Sequence, residues 1–198
     1  MSRLSRDDVI EAAGRLFAKR GYHATSMRDL GGELGILGGS VYAHVSSKEE
    51  LLVEVVQRAG RLFGESAARA MSSSDHPEEQ LRALIGGHIR VVLDHRDEAQ
   101  TFLNEATALG ERHRQAIVEE RDTYEAHYRS VITNGITAGT FRSDVDANLA
   151  ATFVLSILNA IERWYQPDGR VDPVSLADQL HRFALSGVLR SQEELDAE

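Results

Sequence analysis

Cysteine is absent from this chain, which removes a disulfide framework, thiol catalysis and thiolate metal ligation from consideration. A reducing, cytoplasmic setting is the expectation. No apolar stretch approaches the roughly 18 residues that span a bilayer. The N-terminus also lacks a basic start followed by an apolar run of signal-peptide length, so a soluble chain without a membrane partner is expected. Catalytic signatures are missing too: there is no G-x-S-x-G elbow, phosphate-binding Walker sequence or dinucleotide glycine fingerprint, so no enzyme and no cofactor are expected. Nothing alternates with the period of a strand, and no internal repeat or low-complexity tract is present. Proline is scarce, and Pro77, Pro167 and Pro173 all fall where helical patterns start or stop.

What remains is helical periodicity and acid. The formal net charge is −9. Residues 1–50 hold seven Lys+Arg and seven Asp+Glu, so the other 15 basic and 24 acidic residues, and the whole −9, lie in residues 51–198. A neutral N-terminal segment with Arg3, Arg6, Arg28 and Lys48 can present a basic face, while an acidic remainder limits non-specific attraction to phosphate.

The densest local information lies between Thr25 and Leu52. Ser26 is placed as an N-cap with Asp29 three residues on, and Met27, Leu30 and Leu34 share one helical face. Gly35 suits the left-handed residue that ends this helix. Ile36 and Leu37 are then expected in the core, with Gly38 and Gly39 turning the chain into a second helix over about Ser40 to Val45. Val41 and Val45 point inward, leaving Ser40, Tyr42, Ala43 and His44 on a polar and aromatic face suited to a DNA major groove. Ser47 and Glu50 form a Ser-x-x-Glu capping box opening a longer helix through Leu51, Leu52, Val55, Val56 and Ala59.

Taken together, Gly35-Ile36-Leu37, Gly39-Ser40-Val41-Tyr42, Ala43-His44-Val45 and Lys48-Glu49-Glu50-Leu51-Leu52 resemble the DNA-binding domain of TetR-type transcriptional regulators. Two departures stand out: Val45 replaces the usual phenylalanine, and Gly31-Gly32 replace small helix formers. Two interior glycines cost about 2 kcal/mol relative to alanine, which predicts a soft supporting helix. The resemblance implies that Tyr42, His44 and Lys48 meet DNA phosphates. Gly39, Ser40 and Ala43 are better placed for base edges, Arg28 suits either contact, and Ser26 joins the same set.

In chain order, a first helix starts at Ser5 and ends at Gly21, with Tyr22 folding back as core. The helix from Lys48 runs to about Met71, and a loop covers Ser72 to Pro77. Helical segments then follow from Glu78 to near His95, from Ala99 to about Leu109 and from Glu111 to about Ala138. Gly86-Gly87 invites a kink or a close backbone approach. The segment Ala147 to Tyr165 is apolar nearly all round and is expected to be buried on several sides, and a last helix opens at Pro173. The acidic tail beyond Ser191 is expected to fray.

Histidine and carboxylate pairs offer weak metal spacing: His88 and His95 lie two turns apart, and Glu105 with His113 has no third partner in pattern, so no metal is expected. The stretch Arg163-Trp164-Tyr165-Gln166-Pro167-Asp168-Gly169, with Asn104-Glu105-Ala106 and Glu119-Glu120-Arg121-Asp122, is similar to TetR-type regulators that sense acyl-CoA thioesters. On a buried apolar helix Arg163 needs a partner, either Glu105, Glu120 or Glu162 or else a ligand phosphate or carbonyl, with Trp164 as a stacking face. Arg121 and Arg129 are further candidates for an anionic ligand.

The reading is an all-α chain with a three-helix helix-turn-helix domain over residues 1–48 and a helical ligand-binding and dimerisation domain over residues 49–198. Its expected function is ligand-responsive repression, with a homodimer on palindromic double-stranded operator DNA released by an acyl-CoA effector. The ligand contacts would be Glu105, Arg121, Arg163 and Trp164. The alternative is a helical acyl-thioester-binding protein or enzyme without DNA binding.

Overall fold

The computed structural model describes residues 4–189. Arg3 and the acidic tail beyond Ser191 lie outside them. The architecture of the described residues is all-α: α1 (Arg6–Arg20), α2 (Met27–Leu34), α3 (Gly38–Val41), α4 (Lys48–Met71), α5 (Pro77–Asp94), α6 (Arg96–Asn104), α7 (Glu111–Thr137), α8 (Ala147–Trp164) and α9 (Pro173–Val188), joined by turns and one 3-10 turn. The chain divides into two compact units, Met1–Leu62 with His95–Glu120, and Phe63–Asp94 with Arg121–Glu198. Among the described residues, no helix is long and apolar enough to cross a membrane.

In the first unit, α1 begins at a capping box between Ser5 and Asp8 and buries Val9, Ile10, Ala13, Leu16 and Phe17. It ends at Gly21, whose φ of 83° favours glycine. Helix α2 repeats the design: Ser26 and Asp29 box its start, and Gly35 takes the left-handed conformation at its end. The hydroxyl and amide of Ser26 hold the Asp29 carboxyl below its usual range. Helix α6 packs on α1. It starts at Arg96 and stops at Asn104, shorter at its end than the periodicity suggests, because the chain tightens into a 3-10 turn over Ala106–Ala108, with Ala108 N–H bonding the Glu105 carbonyl at 2.9 Å.

Three local expectations need correction. The recognition helix does not reach Val45: helical bonding stops at Val41, and Ala43 and His44 donate to Ser40 and Val41 in i to i−3 bonds. Leu37 is not core. Its extended backbone (φ −68°, ψ 140°) turns the side chain outward, 80% exposed, whereas Ile36 is half-buried. The capping box of α4 is split over two serines: Ser47 Oγ accepts from the Glu50 amide at 3.0 Å, while the Glu50 carboxylate accepts from the amide and hydroxyl of Ser46, both at 2.6 Å. Arg6 pairs with the same carboxylate at 2.7 Å.

Gly31 is not a defect. Helices α2 and α3 cross so closely that a Cβ on Gly31 would lie 2.6 Å from Gly38 N and 2.8 Å from Ile36 O. A Cβ on Gly38 would meet Arg28 Cα at 2.9 Å. Nothing lies within 4 Å of a Cβ on Gly32.

In the second unit, α5 packs against α8 and α9. Gly87 provides a close approach, since a Cβ there would lie 2.3 Å from Ser66 Oγ; Gly86 is open. Phe141 lies over Gly135, and the Arg142 amide donates to Val188 O at 2.8 Å, tying the α7–α8 turn to the end of α9. Helix α8 is not buried all round. Its inner face is Ala150, Ala151, Val154, Leu155, Leu158, Ile161 and Glu162, while Leu149, Phe153 and Trp164 are more than half exposed. Arg163 is exposed as well, which overturns its expected burial: the buried charge on α8 is Glu162, one residue and about 100° of helical rotation away.

The two adjacent glycines of α2 should therefore separate on mutation. Gly32→Ala is expected to raise stability by about 0.5–1 kcal/mol through helix propensity. Gly31→Ala should lower it by about 1–3 kcal/mol as the α2–α3 crossing is forced apart. Urea denaturation of the two variants beside wild type provides the comparison.

Candidate functional site

The α2–turn–α3 segment presents one continuous outer face. Val41 and Val45 are buried, as their spacing predicts, and Gly39, Ser40, Tyr42 and Ala43 face solvent with His44 partly covered. Tyr42 is 54% exposed. Arg28 is exposed on α2. Ser26 faces solvent too, but its hydroxyl is engaged with Asp29 in the α2 cap. The face thus collects Arg28, Gly39, Ser40, Tyr42, Ala43 and His44, with Leu37 as a member the sequence reading assigned to the core. Apolar character alone placed Leu37 inside, whereas α3 starts at Gly38, ahead of the expected Ser40, which makes Leu37 its outward-facing N-cap.

Lys48 is more than a surface cation. Its Nζ donates to the carbonyls of Tyr22 at 3.0 Å and Thr25 at 2.9 Å, and sits 4.2 Å above the Tyr22 ring. It therefore pins the first turn of α4 to the connection between α1 and α2. Tyr22 packs edge-on against Phe17 at 5.4 Å but is only half-buried, at the margin of the core in which the sequence placed it. Glu105 reaches the same turn, its Oε2 accepting from the Tyr22 amide at 3.2 Å. That carboxylate links the end of α6 to the α1–α2 turn.

The remaining residues assigned to a ligand lie in the second unit. Arg121 is half-buried, and burial lowers its pKa. Arg129 pairs with Glu125 at 2.5 Å, one turn away on α7. Arg163 and Trp164 face solvent at the end of α8. Sequence reasoning missed a buried polar cluster nearby in the chain. His88 Nδ1 lies 3.0 Å from the Tyr124 hydroxyl, which is 3.4 Å from that of Tyr128, and Tyr128 donates to the Leu84 carbonyl at 3.1 Å. Burial pushes the His88 pKa down to about 3, so its ring is neutral. Among the described residues, no three His, Cys, Asp or Glu side chains are grouped to hold an ion.

Helices α8 and α9 leave an apolar groove of about 260 Å³ whose walls include Phe153, Ile157, Phe183, Ala184 and Gly187. Phe153 and Phe183 are more than 60% exposed beside it.

Comparison with known proteins agrees with this architecture. Residues 9–55 match the family described as bacterial regulatory proteins, tetR family, and residues 74–188 match the tetracyclin repressor-like C-terminal domain, more than half of the chain. The chain belongs to the TetR family. Among relatives of this TetR-family chain, the HTH-type transcriptional repressor KstR2 of Rhodococcus jostii is 30% identical over 185 residues, 92% of this chain and 90% of that one. The structure of the ketosteroid transcriptional regulator KstR2 of Mycobacterium tuberculosis superposes with a TM-score of 0.90 at 26% identity, covering 96% of this chain and 98% of that one. That of AibR in complex with isovaleryl coenzyme A and operator DNA gives 0.83 at 27% identity, covering 90% and 96%.

The geometry around Tyr22 separates two roles for Lys48. Lys48→Met keeps the aliphatic stem over the ring but removes both charged hydrogen bonds, and should lower stability by about 1.5–3 kcal/mol. Exchange of the amides at Ser26 to Leu30 should quicken accordingly. A lysine serving phosphate alone would leave thermal melting and hydrogen exchange of the free protein unchanged.

Proposed function

We propose that this chain is a homodimeric repressor that binds palindromic operator DNA and is released by an acyl-CoA thioester. Residues 1–48 bind DNA, and residues 49–198 hold the effector and the partner subunit. The observation that carries the reading is the exposed face of α2, the turn and α3. Val41 and Val45 anchor it from beneath, which leaves a surface without buried work to do. Tyr42, His44 and Lys48 position the protein on phosphates, while Arg28, Gly39, Ser40 and Ala43 approach base edges. Ser26 contributes through the α2 cap, which orients Arg28.

The acyl-CoA reading is supported by the likeness to KstR2 repressors and to AibR, a protein crystallised with isovaleryl coenzyme A and operator DNA. Acyl-CoA is an anion with an apolar arm. An acyl group seeks the apolar interior, and a nucleotide stays near solvent. Exposed Arg163 and Trp164 suit the phosphates and the adenine ring, and half-buried Arg121 suits the polar junction between them. Glu105, already bound to Tyr22, couples α6 to the DNA-binding helices instead of touching the effector. Release is a population shift: the effector favours a dimer whose recognition helices no longer match successive major grooves.

The deciding experiment is operator binding by the purified full-length chain, titrated with isovaleryl-CoA and longer acyl-CoAs. Retardation of specific DNA that is reversed by an acyl-CoA, without turnover, is expected. Absence of specific DNA binding would refute the reading. Because Arg163 is exposed, Arg163→Ala should change stability by no more than about 0.5 kcal/mol, yet weaken acyl-CoA binding in calorimetry about tenfold, as for loss of one charge-assisted contact.

The α8–α9 groove and the exposed Leu149, Phe153, Val174 and Phe183 form the surface that a second copy covers in a four-helix bundle. Gly187 borders this groove, and nothing lies within 4 Å of a Cβ placed on it. Gly187→Glu should therefore keep its helical circular dichroism, sediment as a monomer, and lose affinity for a duplex with two half-sites. A variant that remains dimeric would place the interface on other helices.

A further inference from the structure

Leu37 is anomalous in two ways. It occupies the N-cap of α3, where Ser, Thr, Asp or Asn would accept a free helical amide, and no side-chain cap bond is formed there. It is also 80% exposed. A leucine that caps nothing and packs on almost nothing contributes little to the fold that holds it.

Its neighbours make the anomaly informative. Between Leu37 and His44 there is no Arg, Lys, Asn or Gln, the side chains that form bidentate pairs with guanine or adenine in the major groove. Gly38 and Gly39 have no side chain, Ala43 offers a methyl group, and Ser40 offers a single hydroxyl. Tyr42 and His44 are taken up by phosphate positioning in the reading above. Gly38 has no room for a longer side chain, because a Cβ there would lie 2.9 Å from Arg28 Cα. Apart from Arg28 on α2, what this surface presents to base edges is thus mainly hydrocarbon. In the major groove, the hydrocarbon feature that distinguishes one base from the others is the C5-methyl group of thymine.

We propose that Leu37 is a specificity-determining residue that packs on thymine C5-methyl groups, so that the segment from Leu37 to His44 reads the operator chiefly by methyl contact. The proposal rests on the DNA-binding reading and deepens it. Each methyl buried against leucine is worth roughly a fourfold change in affinity. Because the contact is apolar, its contribution to the operator preference should persist as salt is raised, while phosphate contacts weaken.

The test uses the full-length protein and duplexes that it selects from a random-sequence pool. In the selected site, each thymine is replaced in turn by deoxyuridine, which deletes the methyl and leaves base pairing unchanged. The expected result is at least one thymine per half-site whose replacement weakens wild-type binding about fourfold and leaves Leu37→Ala binding unchanged. Selection with Leu37→Gln should move the preference at that position from thymine to adenine. The proposal is overturned if no deoxyuridine substitution matters to wild type, or if Leu37→Ala shows the same penalties. It falls as well if Leu37→Ala loses its helical circular dichroism, since Leu37 would then be a folding residue. If wild type enriches no sequence at all, the DNA-binding reading itself fails, an outcome distinct from enrichment without methyl dependence.

Discussion

Both backbone polar groups and the side chain of Tyr22 are held by other elements, and the placement of the DNA-facing helices depends on it. The Tyr22 amide donates to Glu105 at the end of α6, its carbonyl accepts from Lys48 at the start of α4, and its ring lies between that ammonium and Phe17 of α1. The turn from Gly21 to Thr25 is short, and a loop of that length would otherwise leave α2 free to swing on α1. Two opposite charges, Glu105 at the end of α6 and Lys48 at the start of α4, bond the two peptide groups that flank the Tyr22 Cα and remove that freedom with hydrogen bonds of the charge-assisted kind, which are stronger than neutral ones. Any displacement of α6 along α1 must either carry Tyr22 with it or break the bond to Glu105.

Close backbone approach is the second constraint, and it explains an apparent weakness. Adjacent glycines in α2 look like a soft helix when helix propensity is summed along the chain. At the crossing with α3 one of them, Gly31, is the residue that lets the two backbones meet, together with Gly38 on the other side. Helix α3 itself is a single turn, Gly38–Val41, and carries no long polar side chain.

In the second unit, the apolar surplus on α8 and α9 follows the same logic at larger scale. The inner face of α8 is satisfied by the chain itself, yet Leu149, Phe153 and Trp164 remain outside, and Phe153 walls a groove lined almost wholly by aliphatic and aromatic carbon. A contiguous apolar surface of this kind is unusual on an isolated soluble chain. Within the core, His88, Tyr124 and Tyr128 form a hydrogen-bonded file ending on the Leu84 carbonyl, in surroundings that keep the histidine neutral.

Local pattern determined much of this molecule. Capping boxes at Ser5 and Ser26, the left-handed Gly35, the inward Val41 and Val45 and the extents of α4 and α7 all follow from interactions within four or five residues, so they are legible without a structure. So is the family, through its turn glycines and the start of α4. What the sequence does not encode locally is which of two apolar or charged neighbours faces inward. Leu37 and Ile36 read alike, but a single extended residue ahead of α3 turns Leu37 to solvent. Arg163 and Glu162 are adjacent, and only the rotation of α8 about its axis, set by packing against α5, buries the glutamate and frees the arginine. Lys48 and Glu105 both look like surface charges in the chain. Tertiary structure alone decides that they converge on Tyr22, because hydrogen bonds spanning 26 and 83 residues leave no periodicity to read.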